Sequence, residues 1–264
     1  MRLNETATKQ KSPSIEVLRP EVWVGKELLA FEGPMGFLDW HQHSFVCLLI
    51  GTGGPFEVIF DGHHLRCECF LVPAGLDHQL EFYGQRMFSL YIPAHHRQFP
   101  LLQNHPKNAE LRTEWTVQWQ KAMDIWQEER DPSALQEQAL RTWTTEVRGL
   151  DVRVLRIVRA LAVGEHLDTD TAGLASWQGI SASRLTHLLK DSLGVGLRKV
   201  KRGYRFVLAA LAMAEGASLT EAAHASGFAD SSHFSRSFRA AYGLPPSHAL
   251  LSTTKWNLLD APET

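Results

Sequence analysis

The stretch Gly227–Pro246, GFADSSHFSRSFRAAYGLPP, places the tightest limits on what this chain can fold into. Phe234, Phe238 and Tyr242 recur every four residues, so they would share one face of a helix. Asp230 stands where that helix would begin and is a suitable N-cap, and a glycine followed by prolines would end it. The pattern predicts a helix that is apolar on one face and polar and basic on the other.

A second, shorter helix is predicted directly upstream. Ser218 and Glu221 have the spacing of a capping box ahead of an Ala-rich run. Gly227 follows that run, where a left-handed turn residue is expected at a helix end. Two short helices across a tight turn, the second of them basic, predict a helix-turn-helix unit.

The residues Leu174–Gly194 repeat this unit in weaker form, with Leu185 in the place of Phe234. Between the two copies, Leu197–Ala214 predicts a connecting helix with one apolar stripe and a basic first half. The duplication therefore predicts an all-α domain over residues 151–254 that contains two helix-turn-helix units.

The residues of the second copy match a more specific signature than the general helix-turn-helix pattern. Ser-Arg at 235–236, Phe-Arg at 238–239 and Tyr-Gly at 242–243 before a proline resemble the signature of the AraC/XylS family of transcription regulators. Pro245 departs from that pattern, which usually has Ser or Thr there. The resemblance implies a DNA-binding activator that works with RNA polymerase, has no catalytic residues and needs no cofactor.

The resemblance also implies that the second helix of each unit lies in the major groove. The outward positions near the start of these helices are then expected to contact bases: Ser183, Arg184, Thr186 and His187, then Ser231, Ser232, Ser235 and Arg236. Cations of the connecting helix, with two residues of the second unit, are expected to contact phosphates: Arg198, Lys199, Lys201, Arg202, His233 and Arg239.

Residues 15–105 predict a β domain, because short β-prone runs alternate with turns such as Gly51–Pro55. His41-x-His43 and the turn Pro73–His78 resemble the two motifs of the cupin barrel. Many AraC-family members carry such a barrel as an effector domain. The fold class expected for the whole chain is therefore α+β, a cupin-like barrel followed by a helical domain.

His41, His43 and His78 are expected to border a pocket for a small-molecule effector, since alternate strand residues share one sheet face. Further candidates for the pocket wall are Trp40, Cys47 and Tyr83. Three imidazoles also suit Zn, Fe or Cu, but a metal-binding cupin usually adds a Glu, and Ser44–Leu48 contains none. A pocket without metal is favoured, and a metal-dependent cupin enzyme with a helical appendage is the alternative.

Residues 106–150 change to a helical period and predict a hairpin of two helices. Trp115, Trp119 and Trp126 lie at helical spacing on one face of it. Because aromatic residues are enriched at interfaces, this hairpin is predicted to join two copies in a homodimer.

The composition fits a two-domain globular protein of 264 residues, with 44% hydrophobic and 21% charged residues. No apolar run is long enough to span a membrane, and residues 1–14 read as a polar, disordered tail without a signal-peptide core. With three cysteines, these features predict a cytoplasmic protein. The net charge of −2 combines an acidic first part with a basic last part, and residues 255–264 read as a second tail.

Overall fold

The structure is a computed structural model and describes residues 19–25, 27–103, 124, 126, 128–132, 134 and 149–259. This part of the chain forms an N-terminal β domain and a C-terminal helical domain that pack against each other. The α+β class predicted from the sequence is confirmed. The predicted tail over residues 1–14 lies outside the described residues.

The β domain consists of two facing sheets. Its strands are β1 (Glu21–Val24), β2 (Leu29–Pro34), β3 (Phe37–His41), β4 (Val46–Gly51), β5 (Phe56–Phe60), β6 (His63–Cys67), β7 (Cys69–Val72), β8 (His78–Glu81), β9 (Arg86–Ile92) and β10 (Lys255–Leu258). The six-stranded sheet has the order β10-β1-β2-β9-β4-β7, and the four-stranded sheet has the order β3-β8-β5-β6.

Alternating burial shows why these runs form strands. In β5, Phe56, Val58 and Phe60 are buried while the two residues between them are half-buried, as expected for a strand with one face in the core. By contrast, β4 is buried on both faces over Val46–Ile50, and so is β9 over most of its length. These two central strands carry a second packed layer on their outer side.

The segment predicted to be a C-terminal tail is instead part of the larger sheet. Strand β10 pairs in parallel with β1, with Glu21 opposite Lys255 and Val24 opposite Leu258. The side-chain amide of Asn257 donates a 3.2 Å hydrogen bond to the carbonyl of Val22. The run lacks a recognisable strand pattern because it is short and exposed at a sheet edge, so its pairing depends on where β1 lies.

The helical domain follows from Asp151, which caps its first helix. Its helices, with one short helix of the β domain named first, are α1 (Phe99–Gln103), α2 (Val152–Ala162), α3 (Thr171–Trp177), α4 (Ala182–Leu193), α5 (Leu197–Ala214), α6 (Leu219–Ala225), α7 (Ser231–Tyr242) and α8 (Pro246–Ala249). Helices α3 and α4 form the first helix-turn-helix unit, α6 and α7 form the second, and α5 connects them.

The predicted caps are present. The Asp230 side chain accepts a 2.6 Å hydrogen bond from the backbone of His233, and Ser218 with Glu221 forms the reciprocal capping box. Gly243 ends α7 in the left-handed conformation, with φ of 77°. The sequence signature therefore reports the local structure of the second unit correctly.

The predicted dimer-forming hairpin lies almost wholly outside the described residues, including Trp115 and Trp119. Trp126 is described, and its side chain is only 1% exposed. It packs edge-on against Trp23 at 4.9 Å and against Phe88 at 4.4 Å between ring centroids. Assigning Trp126 to a dimer interface was wrong, because its ring is buried against the outer face of the larger sheet of its own chain.

The two domains meet along α5. The hydroxyl of Ser44 donates a 2.7 Å hydrogen bond to the carbonyl of Lys199, and the ring of Tyr204 packs edge-to-face against that of Phe45 with ring centroids 5.0 Å apart. Within the described part of the chain, no helix is long and apolar enough to cross a membrane.

Candidate DNA-binding surface, histidine cluster and interdomain cavity

The two recognition helices, α4 and α7, turn their N-terminal ends to solvent. Of the predicted base-contacting residues, Ser231 and Ser235 are half-buried, and the exposed ones are Ser183, Arg184, Thr186, His187, Ser232 and Arg236. Two hydroxyls of the set donate to their own helix, Thr186 to Ala182 at 2.9 Å and Ser235 to Ser231 at 2.8 Å. Arg236 is the cation of the second helix that is left extended towards solvent at this end.

Most of the predicted phosphate-contacting residues, unlike the base-contacting ones, already have partners within the chain. Lys199 donates to the side chain of Gln42 in the β domain, and Lys201 donates to the carbonyl of Thr169. Arg202 is half-buried, and burial lowers the pKa of its guanidinium. In this arrangement of the domains these three side chains do not face open solvent, and their role as phosphate contacts remains a prediction.

The other three predicted phosphate contacts lie nearer to solvent. Arg198 is exposed at the start of α5. Arg239 is exposed but lies 3.8 Å from a carboxylate oxygen of Asp39 in the β domain. The ring of His233 accepts a 3.3 Å hydrogen bond from the backbone of Ala229 and so supports the turn before α7.

The C-terminal ends of both recognition helices rest on the β domain. Gly243 accepts a 3.0 Å hydrogen bond from the backbone of Asp39, and a Cβ on Gly243 would lie 2.5 Å from the Asp39 carbonyl oxygen. The equivalent Gly194 lies against Ala74 and Gln103, where a Cβ would be 2.6 Å from the Ala74 carbonyl oxygen. Glycine is required at both positions, since each also has a positive φ.

His41, His43 and His78 form a buried cluster directly beneath the end of α7. One nitrogen from each ring lies within 4.8 Å of the others, and each residue is 3% exposed or less. Nε2 of His41 and Nε2 of His43 are 3.2 Å apart. The sequence was right to bring these three side chains together.

Two of the three rings are oriented by backbone carbonyls. Nδ1 of His41 donates to the carbonyl of Asp39 at 2.7 Å, and Nδ1 of His78 donates to the carbonyl of Leu76 at 3.0 Å. In the neutral rings this leaves the lone pair on Nε2. Burial lowers the pKa of His41 to about 4 and that of His78 to about 3, so both rings are neutral at neutral pH.

The cluster retains unsatisfied polar atoms. Nε2 of His78 and Nδ1 of His43 are buried and have no hydrogen-bond partner among the described residues. Leaving such a group unpaired costs about 1–3 kcal/mol. Neutral imidazoles with free nitrogens are the donor set that Zn²⁺ and similar ions take, so the residues present fit a transition metal.

A separate, partly open apolar cavity of about 80 Å³ lies between the two domains. The β domain contributes Phe31, Met35 and Met87 to its wall, and β10 contributes Trp256. From the helical domain come residues of α5 and α7, among them Phe206, Met213, Phe234, Phe238 and Tyr242. The apolar stripe that defines the helix-turn-helix signature therefore forms part of a cavity wall.

The histidine cluster borders this cavity but does not line it. Tyr91 and Tyr242 lie between them, because both line the cavity and both pack on His43, at 5.1 and 6.0 Å between ring centroids. Two predicted wall residues lie elsewhere: Trp40 is 49% exposed and Tyr83 is 55% exposed. Cys47 is fully buried, and it too is absent from the cavity wall.

Sequence reasoning missed the cavity because its wall is shared between domains. The signal was present in the aromatic stripe of α7, which is larger than two short helices need for their own packing. The strand that faces this stripe across the cavity, β2 with Phe31, can be identified only once the docking of the domains is known.

The comparisons with known proteins agree with this architecture. Residues 174–251 match the family model described as a helix-turn-helix domain. The crystal structure of apo ToxT from Vibrio cholerae is similar, with 13% identity and a TM-score of 0.58 over 88% of this chain and 99% of that one. A second ToxT structure from the same organism has 12% identity and a TM-score of 0.54 over 89% and 96%.

ToxT bound to an unsaturated fatty acid is also similar, with 14% identity and a TM-score of 0.50 over 96% of this chain and 98% of that one. No curated protein matches the chain. At such identities the likeness to ToxT establishes the shared fold.

The paired recognition helices on one connecting helix, joined to a β domain, define a helix-turn-helix DNA-binding regulator. The C-terminal unit is of the AraC type, and the resemblance predicted from the sequence is confirmed.

Proposed function

We propose that this chain is a transcription regulator whose affinity for DNA is set by a small apolar molecule bound in the interdomain cavity. The observation that carries the proposal is the composition of the cavity wall. Phe234, Phe238 and Tyr242 of the recognition helix α7 face Phe31 and Met87 of the β domain across it. A molecule held there contacts both domains at once.

The chemistry of the wall indicates the kind of effector. Among the described residues that line it, none is charged, and the polar groups are the hydroxyls of Ser89, Tyr91 and Tyr242 and the indole of Trp256. The hydroxyl of Ser89 is buried and has no hydrogen-bond partner in the part of the chain that the structure describes. An uncharged, largely apolar molecule with one hydrogen-bonding group suits this wall, because a carboxylate would be buried without a cation.

The position of the cavity suggests how the effector acts. A ligand shifts an equilibrium between two arrangements only as far as it binds them unequally. Here Lys199 and Arg239 are held by the β domain through Gln42 and Asp39. An effector that bridges the two domains favours the docked arrangement, so it keeps these cations engaged and weakens DNA binding.

DNA reading by α4 and α7, with Arg236 bidentate on guanine, is part of the same proposal. So are a homodimer, activation through RNA polymerase and a cytoplasmic location. These follow from the AraC-type domain, and the base-contacting set remains as it was expected from the sequence.

The cavity can be tested with matched ligands and matched variants. Fluorescence anisotropy of the full chain on its own promoter region would be measured with 1-dodecanol and with dodecanoic acid. We expect the alcohol to change the affinity for DNA more than the acid does. In Ala210→Phe the cavity is filled and the response should vanish, whereas Ala212→Phe, on the same helix but outside the wall, should keep it.

Two results would count against the proposal. If neither molecule binds, or if Ala210→Phe responds like the unaltered chain, the cavity is not the effector site. If the chain shows no salt-dependent affinity for any promoter DNA, DNA binding itself is refuted.

A further inference from the structure

We propose that Arg205 of the connecting helix α5 is a positioning residue, which fixes the distance and the rotation between the two helix-turn-helix units. It thereby sets the spacing of the two DNA half-sites that the chain accepts. The inference rests on the proposed DNA binding and adds to it a residue that determines specificity without reading a base. The recognition helices choose the sequence of each half-site, and Arg205 chooses the number of base pairs between them.

The guanidinium of Arg205 lies between a loop of the first unit and the turn of the second. On one side it donates to the carboxylate of Asp168 at 2.6 Å and to the carbonyl of Leu167 at 3.3 Å. Both belong to the entry loop, residues 167–169, which leads from α2 into α3. On the other side it packs on the turn between α6 and α7, where a Cβ on Gly227 would lie 3.3 Å from Nε of Arg205. One side chain therefore contacts both units.

The entry loop determines where the first unit begins. Asp170 follows the loop directly and caps α3 with its side chain. Lys201, one turn before Arg205 on the same face of α5, donates to the carbonyl of Thr169. Two neighbouring cations of α5 therefore hold the loop and the cap after it. Because α3 and α4 are joined by a tight turn, holding the start of α3 also fixes the tilt of the recognition helix α4.

The position of Arg205 matters more than its ion pair. The side chain of Asp168 is 93% exposed, so water and salt screen its attraction to Arg205 and the pair adds little stability. The side chain of Arg205 is only 20% exposed, and its planar guanidinium is rigid. It therefore acts as a spacer between the entry loop and the second unit, and the spacer persists where salt weakens the ion pair.

The β domain is a competing source of the same alignment. In the docked arrangement it contacts the C-terminal ends of the recognition helices, at Gly194 and Gly243. These contacts leave the N-terminal ends of α4 and α7, which read the bases, to be aligned by the helical domain itself. In the proposed function DNA binding also favours the undocked arrangement, in which the contacts with the β domain are lost.

A phosphate contact is the second competing account, because Arg205 is a cation of a basic helix. It does not explain why the guanidinium donates to Leu167 and Asp168. The two accounts differ in their dependence on salt. Loss of one phosphate contact lowers the slope of log affinity against log salt by about one, whereas loss of a positioning residue leaves the number of released counterions unchanged.

The test uses the full chain and DNA that carries the two half-sites of its own promoter region, defined by footprinting. One or two base pairs are inserted between the half-sites, and each shifts one of them by about 3.4 Å and rotates it by about 35°. We expect two inserted base pairs to lower the affinity of the unaltered chain by about 20-fold, and that of Arg205→Met by less than about 5-fold. Methionine keeps the unbranched apolar stem and removes the guanidinium.

Two further variants separate the accounts. Arg198→Met is the matched control, since Arg198 is an exposed cation at the start of the same helix. It should lower the affinity for every spacing by the same factor and lower the salt slope by about one. Arg205→Lys keeps the charge without the planar fork, so a phosphate contact would survive in it. A positioning residue would not, and Arg205→Lys should therefore lose spacing preference at an unchanged salt slope.

Three results would overturn the proposal. One is specific DNA binding by the unaltered chain that does not depend on spacing. Another is a dependence on spacing as steep in the Arg205 variants as in the unaltered chain, and the third is an equal loss of affinity at every spacing. Circular dichroism shows whether each variant is folded, and either Arg205 variant alone decides the outcome.

A measurement without DNA separates this inference from the proposed function. Nitroxide labels are attached to p-acetylphenylalanine introduced at the exposed positions of Ser183 on α4 and Ser232 on α7. Electron paramagnetic resonance should give one narrow distance distribution in the unaltered chain and in Arg198→Met, and a broader one in Arg205→Met. Equal widths would overturn the role of Arg205, whereas a failure of the unaltered chain to bind DNA would refute only the proposed function.

Discussion

Gly203 on α5 is where the docking of the two domains is most sensitive to a single change. A Cβ at this position would lie 2.7 Å from Cβ of Ser44 and 3.1 Å from the ring of Phe45. The first contact involves an atom next to the backbone, so it cannot be relieved by a flexible side-chain end. Gly203→Ala should therefore push the helical domain away from the β domain.

Gly203→Ala should have opposite effects on two free energies, that of domain docking and that of folding of helix α5. Overpacking of this kind costs about 1–3 kcal/mol, and that cost falls on the docking of the domains. Within α5 itself, alanine is more favourable than glycine by about 0.5–1 kcal/mol. Docking should weaken while the helical domain becomes more stable, and DNA affinity should rise by up to about 5- to 150-fold.

Differential scanning calorimetry and DNA anisotropy together test this reasoning. We expect the variant to unfold in two separated transitions and to bind promoter DNA more tightly. Ser44→Gly in the same chain removes the clashing atom but also the hydrogen bond to Lys199, so it should restore docking in part. A single transition at higher temperature with unchanged DNA affinity would show that the contact does not restrain the helical domain.

Three further outcomes are expected from the same contacts. Arg236→Ala should cost about 1–3 kcal/mol of binding free energy on the specific site and relax the choice of one base pair, whereas Arg198→Ala should weaken the affinity for all sequences alike. Competition anisotropy with random DNA checks this. If Arg236→Ala loses equal affinity for specific and for random DNA, Arg236 is only a phosphate contact. Trp126→Ala should destabilise the β domain by about 3–5 kcal/mol, measured by urea denaturation, and a change below 1 kcal/mol would mean that the ring is not part of the core. Removal of residues 255–264 should lower the melting temperature and open the apolar cavity to a fluorescent apolar dye, since Trp256 forms part of its wall; unchanged values would show that β10 contributes little.

The helix-turn-helix units could be predicted from the sequence because their signals are local. A cap such as Asp230, a turn residue such as Gly227 and a four-residue aromatic period each act within a few positions. The same holds in part for the histidine cluster, since His41 ends β3 opposite His78 of β8, and His43 follows two residues later.

What the sequence could not supply depends on how the domains meet. Lys199 reads as a free cation in a basic helix, and its partner Gln42 lies far away in the chain. Trp126 reads as an interface residue because helical spacing does not tell which surface covers it. The role of Phe238 in a cavity wall likewise depends on a strand that only docking brings near.

The parallel pairing of β10 with β1 gives the helical domain a second attachment. The chain enters the helical domain ahead of α2 and returns to the β domain after α8, so the DNA-reading module is attached to the β domain at both of its ends. Residues 250–254 separate α8 from β10 and span at most about 20 Å when fully extended. The module can therefore pivot or slide by one or two helix diameters, but it cannot move independently of the β domain while β10 stays paired with β1.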